Sequence, residues 1–355
     1  MNHSSLEVKS AFDTSPNEPE PAFLATLLVI FAIIDGSRSI PKTNMPKKAK
    51  TNSKGDRPET PAEQLYPETP ALFYKHSRGE IWVGDAIAWL ASLESESADL
   101  IFADPPYNLK KAQWDYFESP EEYLNWSLQW IEQAARVLKP TGTLYVCGFS
   151  EILADLKKPA LRFFQGCRWL VWHYKNKGNL GSDWGRSHES ILHLRKSHNF
   201  TFNLDDARIP YNTHTLKYPE RTQAETSQFA QPGKSQNQPW SPHPRGAKPK
   251  DVLEIPTTCN GTNEKTPHPT QKPEELLRKI LLASSNPGDL VVDPFLGSGT
   301  TAVGAEQLQR QWKGCDISIP YCQWARERIE LIEPKAIATW LEYDLEKARR
   351  RRSNR

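Results

Sequence analysis

The sequence predicts an α/β protein built on a doubly wound, largely parallel sheet. Two observations predict it. Short apolar runs alternate with helical patterns along the chain, and several of those runs end in a carboxylate or a glycine-rich turn. Folds of this class place their ligands beyond the carboxyl ends of the strands, so those strand ends are where function is to be sought.

The strands and helices follow in order. Residues 81–85 open the ordered part with Ile-Trp-Val-Gly-Asp. Residues 98–104 form a short buried strand that ends in Asp104. Ser119-Pro120-Glu121-Glu122 is a capping box with proline at the first helical position, and it starts an amphipathic helix reaching about Leu138, where Pro140 and Gly142 stop it. Further strands are expected at 143–147, 169–174 and 190–194. Regular patterning resumes at Thr270, with a helix over 273–282, a strand over 289–293 and a helix after Gly299. A last strand over 312–316 is followed by a helix to about Ile332. One folded domain is expected to span 76–335.

Composition narrows the function. With 37% hydrophobic residues among 355, the chain has material for a full core, which excludes a wholly disordered protein. The 45 basic and 43 acidic side chains leave a net charge of +2, which excludes a globally basic, histone-like binder but permits a local basic groove. Cysteines at 147, 167, 259, 315 and 322 form no CxxC pair and no zinc spacing. No disulfide framework and no metal are expected, and a reducing cytoplasm fits.

The ends and one internal stretch depart from this pattern. Residues 1–70 read as a disordered tail, except for an apolar run at 22–34. That run is shorter than the roughly 20 residues of a membrane span. It follows Glu18-Pro19-Glu20-Pro21, the wrong flank for an export signal. No membrane association is expected, and Met45, followed by Pro46-Lys47-Lys48, is the expected start of the protein. Residues 336–355 form a basic C-terminal tail. Residues 211–265 are rich in Pro, Gln, Ser, Thr, Asn and Lys and show no clear period. They carry Lys217, Arg221, Lys234, Arg245, Lys248 and Lys250, with Tyr218 and Trp240 among them.

Four motifs carry chemistry. Asp104-Pro105-Pro106-Tyr107 follows an apolar strand. A carboxylate and the Pro105 carbonyl are two acceptors held at a fixed angle, the prolines stiffen the turn, and Tyr107 supplies a planar face. Such a set suits an aromatic amine, whose delocalised lone pair is exposed when two acceptors pull on its hydrogens. Asp293-Pro294-Phe295-Leu296-Gly297-Ser298-Gly299-Thr300-Thr301 follows a second apolar strand and opens a helix. Its glycines permit close approach of backbone to ligand, but no Gly-Lys-Ser/Thr follows, and the full GxGxxG fingerprint is absent. Asp316 ends the next strand about twenty residues on, placed for ribose hydroxyls. His268-Pro269-Thr270-Gln271-Lys272-Pro273 heads a helix whose free amides and lysine suit an anion. Read singly, each motif is also compatible with a plain structural turn or cap.

Together, and in this order, these motifs resemble the beta group of DNA amino-methyltransferases, over roughly residues 81–332. The resemblance implies a Rossmann-like methyltransferase fold with circularly permuted motif order, the catalytic motif preceding the cofactor loop. It implies that Asp104, Pro105, Pro106 and Tyr107 hold an extruded base by its amine. Asp293, Phe295, Gly297, Ser298, Gly299 and Thr300 would wrap S-adenosylmethionine, with Asp316 on its ribose, Thr270 and Lys272 at its methionine end, and Asp85 near its adenine or amino-acid part. Residues 211–265 lie where this group keeps its target-recognition region. The implied partner is double-stranded DNA, in the cytoplasm with the nucleoid. A homodimer and a cognate restriction endonuclease are admitted but not required.

Asp at the first position of the tetrapeptide leans towards adenine N6 in this family, where Ser leans towards cytosine N4, so adenine is expected and cytosine is the alternative. Protein-glutamine and rRNA methylases of this type carry Asn there. A non-catalytic nucleic-acid-binding module would account for the basic stretches at 47–54 and 349–352 but not for both motifs. An NAD dehydrogenase would leave Asp104 to Tyr107 unexplained. No cysteine follows a proline, so the Pro-Cys nucleophile of cytosine-C5 methylases is absent.

Overall fold

The computed structural model describes residues 66–108, 115–174, 182–219, 241–259 and 262–332, with Glu342 beyond them. The apolar run at 22–34, the start at Met45 and most of the C-terminal tail lie outside the described residues. In chain order the elements are β1 (Ala71–Lys75), β2 (Gly79–Val83), α1 (Ala86–Ser92), β3 (Ala98–Ala103), α2 (Pro120–Val137), β4 (Leu138–Gly148), α3 (Ser150–Ala160), β5 (Gly166–His173) and β6 (His188–Arg195). There follow α4 (Thr213–Lys217), β7 (Val252–Glu254), α5 (Glu274–Ser284), β8 (Leu290–Asp293), α6 (Thr300–Gln307), β9 (Gln311–Asp316) and α7 (Ile319–Glu330).

The strands form one sheet in the order β1-β2-β9-β8-β3-β4-β6-β5-β7. Pairing is parallel from β2 through β9, β8 and β3 to β4, and β6 runs antiparallel to both β4 and β5. The fold is the doubly wound methyltransferase type with permuted motif order. From β8 the chain moves outward to β9, and from β3 it moves the other way to β4. The switch point lies between these two central strands, whose ends carry Asp293 and Asp104.

Alternation along β3 builds two cores. Leu100 and Phe102 join one face with Leu277, Leu281, Val303 and Ile329 of α5, α6 and α7. Ile101 and Ala103 join the other with Leu90, Ile131 and Leu153 of α1, α2 and α3. Full burial of each such Leu, Ile or Phe stabilises the fold by roughly 1.5–3 kcal/mol, which holds the strand ends in fixed positions.

The cap on α2 forms much as the sequence predicts. Glu122 N donates to Ser119 Oγ at 3.1 Å, and Glu118 N donates to Glu122 Oε2 at 2.6 Å, one residue upstream of the standard reciprocal bond. β4 begins at Leu138 rather than 143, because Leu138 pairs with Ala98 before the ladder shifts register to Leu100 and Thr143. Five elements were not expected. β1 is a half-exposed edge strand, and α1 has only seven residues. α3 lacks a side-chain cap and contains Pro159. Within 211–265, where no regular element was expected, the structure has α4 and the three-residue β7. Among the described residues no helix is long and apolar enough to cross a membrane.

Candidate active site

Asp104 leaves the end of β3 into a cavity of about 490 Å³, within the roughly 300–1,000 Å³ usual for ligand sites. The same cavity is lined by the turn after β8, by Asp316, by 268–272 and by Glu189 near the start of β6. Because β6 runs antiparallel to β4, its beginning lies at the carboxyl ends of the parallel strands.

The Asp104 carboxylate is held from two sides. Tyr107 donates its hydroxyl to Oδ1 at 2.7 Å, and the Lys272 ammonium lies 2.5 Å from Oδ2. Glu189 Oε2 stands 3.2 Å from the same hydroxyl and 3.5 Å from Lys272 Nζ. Burial alone would lower the Lys272 pKa, but the Asp104 and Glu189 carboxylates outweigh it and keep the ammonium charged. Burial and the same two carboxylates push the Tyr107 hydroxyl well above its ordinary value, so it stays a donor. Tyr123 donates to the Pro106 carbonyl at 2.7 Å and fixes the turn, while the Tyr107 ring meets Phe149 edge-on at 5.0 Å. Cys147 is buried nearby. Burial, with Asp104 next, raises its thiol well above the usual range and leaves it protonated and unsuited to nucleophilic work.

The glycine loop is set by backbone geometry. Gly297 has φ +52°, and a Cβ placed on it would sit 3.1 Å from His268 Nε2. Gly299, at φ +80°, caps α6, and a Cβ there would meet Ala325 Cβ at 2.6 Å. Only glycine combines these left-handed conformations with such close packing. Gly297 N donates to Asp316 Oδ2 at 2.7 Å, and Ser318 N donates to Oδ1 at 2.9 Å. The carboxylate lines the cavity and can accept from a hydroxyl ligand as well. Phe295 N donates to Asp293 Oδ1 at 2.9 Å. Burial raises the Asp293 carboxyl to about 7 and that of Asp316 to about 6.

The remaining expected residues fall around this loop. The Phe295 ring packs on Trp126 and Trp130 and also lines the cavity. Asp85 lines it too, while capping α1 through the Ala88 amide at 2.9 Å. Thr270 N donates to His268 Nδ1 at 3.3 Å, and burial lowers that imidazole to about 4, so it is neutral. Thr300 Oγ1 donates to the Lys272 carbonyl at 3.1 Å and joins the glycine loop to the 268–273 segment. Lys272 itself, expected at the methionine end of a cofactor, has its ammonium on Asp104 and Glu189.

Two residues were missed from sequence. Arg328 donates to the Ser298 carbonyl at 2.8 Å and to Thr300 Oγ1 at 3.1 Å, and pairs with Glu274 at 2.9 Å, bracing the loop from α7. Glu189 carried one usable signal, a carboxylate just ahead of the apolar residues Ile191 and Leu192.

The donor set fits S-adenosylmethionine. There are acceptors for hydroxyls at Asp316 and buried carboxyls for cationic groups. A glycine turn stands open to a ligand, and the buried Thr258 Oγ1 on the cavity wall has no partner among the described residues. The Asp104 turn faces this pocket across the switch point, an arrangement that fits an amino-methyltransferase.

Comparison with known proteins is specific on this point. The family described as DNA methylase, N6_N4_Mtase, matches residues 98–327. The type II methyltransferase M1.MboII of Moraxella bovis is 35% identical over 258 residues, 69% of this chain and 94% of that one. The DNA adenine methyltransferase YhdJ of Escherichia coli (strain K12) is 34% identical over 252 residues, 70% and 81% of the two chains. The solved PvuII DNA methyltransferase, cytosine-N4-specific, shares the fold, with a TM-score of 0.55 at 19% identity over 81% of this chain and 95% of its own. The chain belongs to the N6/N4 DNA methylase family and is a DNA methyltransferase that uses S-adenosylmethionine.

Proposed function

We propose that the chain methylates adenine N6 at a specific site in double-stranded DNA, with Asp104, Pro105 and Tyr107 at the target amine. The observation that carries this reading is that Asp104 and the glycine loop open into one cavity from the two central strands. S-adenosylmethionine, when bound, supplies a sulfonium methyl whose carbon–sulfur bond breaks, with its electron pair kept by sulfur, as the amine nitrogen attacks.

The chain's own residues do the rest. The base leaves the duplex at a cost of a few kcal/mol, and an aromatic face returns about 1–3 kcal/mol per stacked base. Tyr107, anchored through its hydroxyl, offers that face. The Asp104 carboxylate and the Pro105 carbonyl accept the amine hydrogens and turn the lone pair outward. The nitrogen gains the methyl and loses one proton, and we assign Asp104 as its acceptor. Aspartate at position 104 supports adenine, since the family's cytosine-N4 members lean towards serine there.

We assign residues 211–265 to target recognition. Within the described part, Lys217 lies 5.4 Å over the Tyr218 ring, and Arg245 pairs with Asp205 and Asp206 rather than standing free for phosphate. Arg221, Lys234 and Trp240 lie outside the described residues. The type II names of relatives are consistent with a cognate restriction endonuclease, which the reading does not require, and a DNA substrate supports a location with the nucleoid in the cytoplasm. A homodimer is compatible with this reading.

Incubating the full chain with unmethylated plasmid DNA and tritiated S-adenosylmethionine, then digesting to nucleosides, tests the reading. Label in N6-methyldeoxyadenosine is expected. Label in N4-methyldeoxycytidine reassigns the base, and no transfer overturns the reading.

A pH dependence follows from the loop carboxyls. Asp293 is neutral below about 7 and Asp316 below about 6, and a ligand carrying ammonium and sulfonium charge favours their ionised forms. Affinity for S-adenosylmethionine is therefore expected to rise between pH 6 and 8, with proton release on binding below 7. Calorimetric titrations in buffers of different ionisation enthalpy measure both, and a flat profile would show that these carboxyls do not face the ligand's charge.

A further inference from the structure

Asp104 has no idle oxygen in this structure. Oδ1 accepts from Tyr107, and Oδ2 is occupied by the Lys272 ammonium at 2.5 Å. A target amine on Oδ2 would share it with a buried cation, and that cation opposes the positive charge that develops on the amine as it is methylated. The structure also contains a second seat for the cation. Glu189 Oε2 lies 3.5 Å from Lys272 Nζ, and Glu189 and Lys272 are both buried.

We infer that Glu189 is a positioning residue for methyl transfer: it draws the Lys272 ammonium off Asp104 Oδ2 when the target amine arrives. This rests on Asp104 being the amine acceptor. The displacement needed is small, because Lys272 already lies between the two carboxylates and Tyr107 is within reach of both. With Asp104 and Glu189 ionised and Lys272 charged, the cluster carries one net negative charge. That suits a reaction which places positive charge on a nitrogen beside it. Without Glu189 the cluster is neutral, and Lys272 has only Asp104 to hold.

The charge count sets the test, made on the full chain with unmethylated plasmid DNA and tritiated S-adenosylmethionine. Glu189→Gln keeps shape and loses the charge, and is expected to lower kcat by about tenfold or more, leaving the Kd for S-adenosylmethionine and Tm near wild type. Adding Lys272→Met restores the net charge and clears Oδ2, so the double variant is expected to turn over faster than Glu189→Gln alone. Glu189→Asp, with its charge kept, is expected to stay well above Glu189→Gln in kcat. A merely structural glutamate predicts neither recovery. The inference is overturned by a Glu189→Gln kcat within about twofold of wild type. It is equally overturned by a double variant no faster than Glu189→Gln, or by Glu189→Asp as slow as Glu189→Gln. Asp104→Ala, run in parallel, separates the levels. If it is active, the reading of the site itself fails; if it is inactive while Glu189→Gln is normal, only the role of Glu189 fails.

Discussion

Asp104→Ala is expected to lower methyl transfer by at least about 10²–10³-fold, the usual cost of removing one preorganised electrostatic group from a reacting centre. Affinity for S-adenosylmethionine should largely survive, because the shape of the glycine loop and of Asp316 is fixed by Gly297 N, Ser318 N and Arg328. Removing the carboxylate leaves Lys272 buried with Glu189 as its remaining carboxylate partner, so some loss of Tm accompanies the loss of turnover. Asp104→Asn, isosteric with one acceptor oxygen retained, should fall between. Single-turnover transfer measured beside calorimetric binding separates the two effects. Near-wild-type turnover in Asp104→Ala would place the chemistry elsewhere.

The opposite pattern is expected of Gly297→Val. A branched residue at φ +52° is strained, and its Cβ arrives 3.1 Å from the His268 ring. Relief requires the turn to move, which shifts the Gly297 amide off Asp316 and the carboxylate off its bearing. Affinity for S-adenosylmethionine is expected to fall by about 10–100-fold, equivalent to roughly 1.4–2.8 kcal/mol. Transfer at saturating cofactor should recover in part, since the Asp104 turn is untouched. Unchanged affinity in a folded variant would remove the loop from the cofactor site.

The sequence exposed those parts of the fold whose signal is local. An apolar run ending in Asp-Pro-Pro-Tyr, a second ending in Asp-Pro-Phe-Leu-Gly-Ser-Gly, and a capped amphipathic helix each state their structure within a dozen residues, and the sheet class follows from their alternation. α1 and α3 were hidden for equally local reasons: seven residues hold too few turns to show a period, and Pro159 interrupts the other pattern. Of the candidate site, the converging segments were legible but the pairing of their side chains was not. Lys272 and Asp104 are 168 positions apart, and Glu189 reaches them only because β6 reverses direction against β4. Arg328 reads as one more surface cation on a helix until α7 packs over the glycine loop.

The strand order has a consequence for how the chain is made. β2 pairs with β1 and β9, and β3 pairs with β4 and β8. Among the described residues the last two strands to leave the ribosome, β8 and β9, are thus the keystone between an early hairpin and an early half-sheet, which share no ladder of their own. At about 5–20 residues per second, the nascent chain waits on the order of ten to forty seconds between completing β3 and acquiring β8 and β9. Throughout that interval the inner edges of β2 and β3, destined for the centre of the molecule, are open to pairing with any other strand. Messages truncated before β8 should therefore yield aggregates rather than half-domains, and a chaperone that shields strand edges has its longest engagement with this protein in that window.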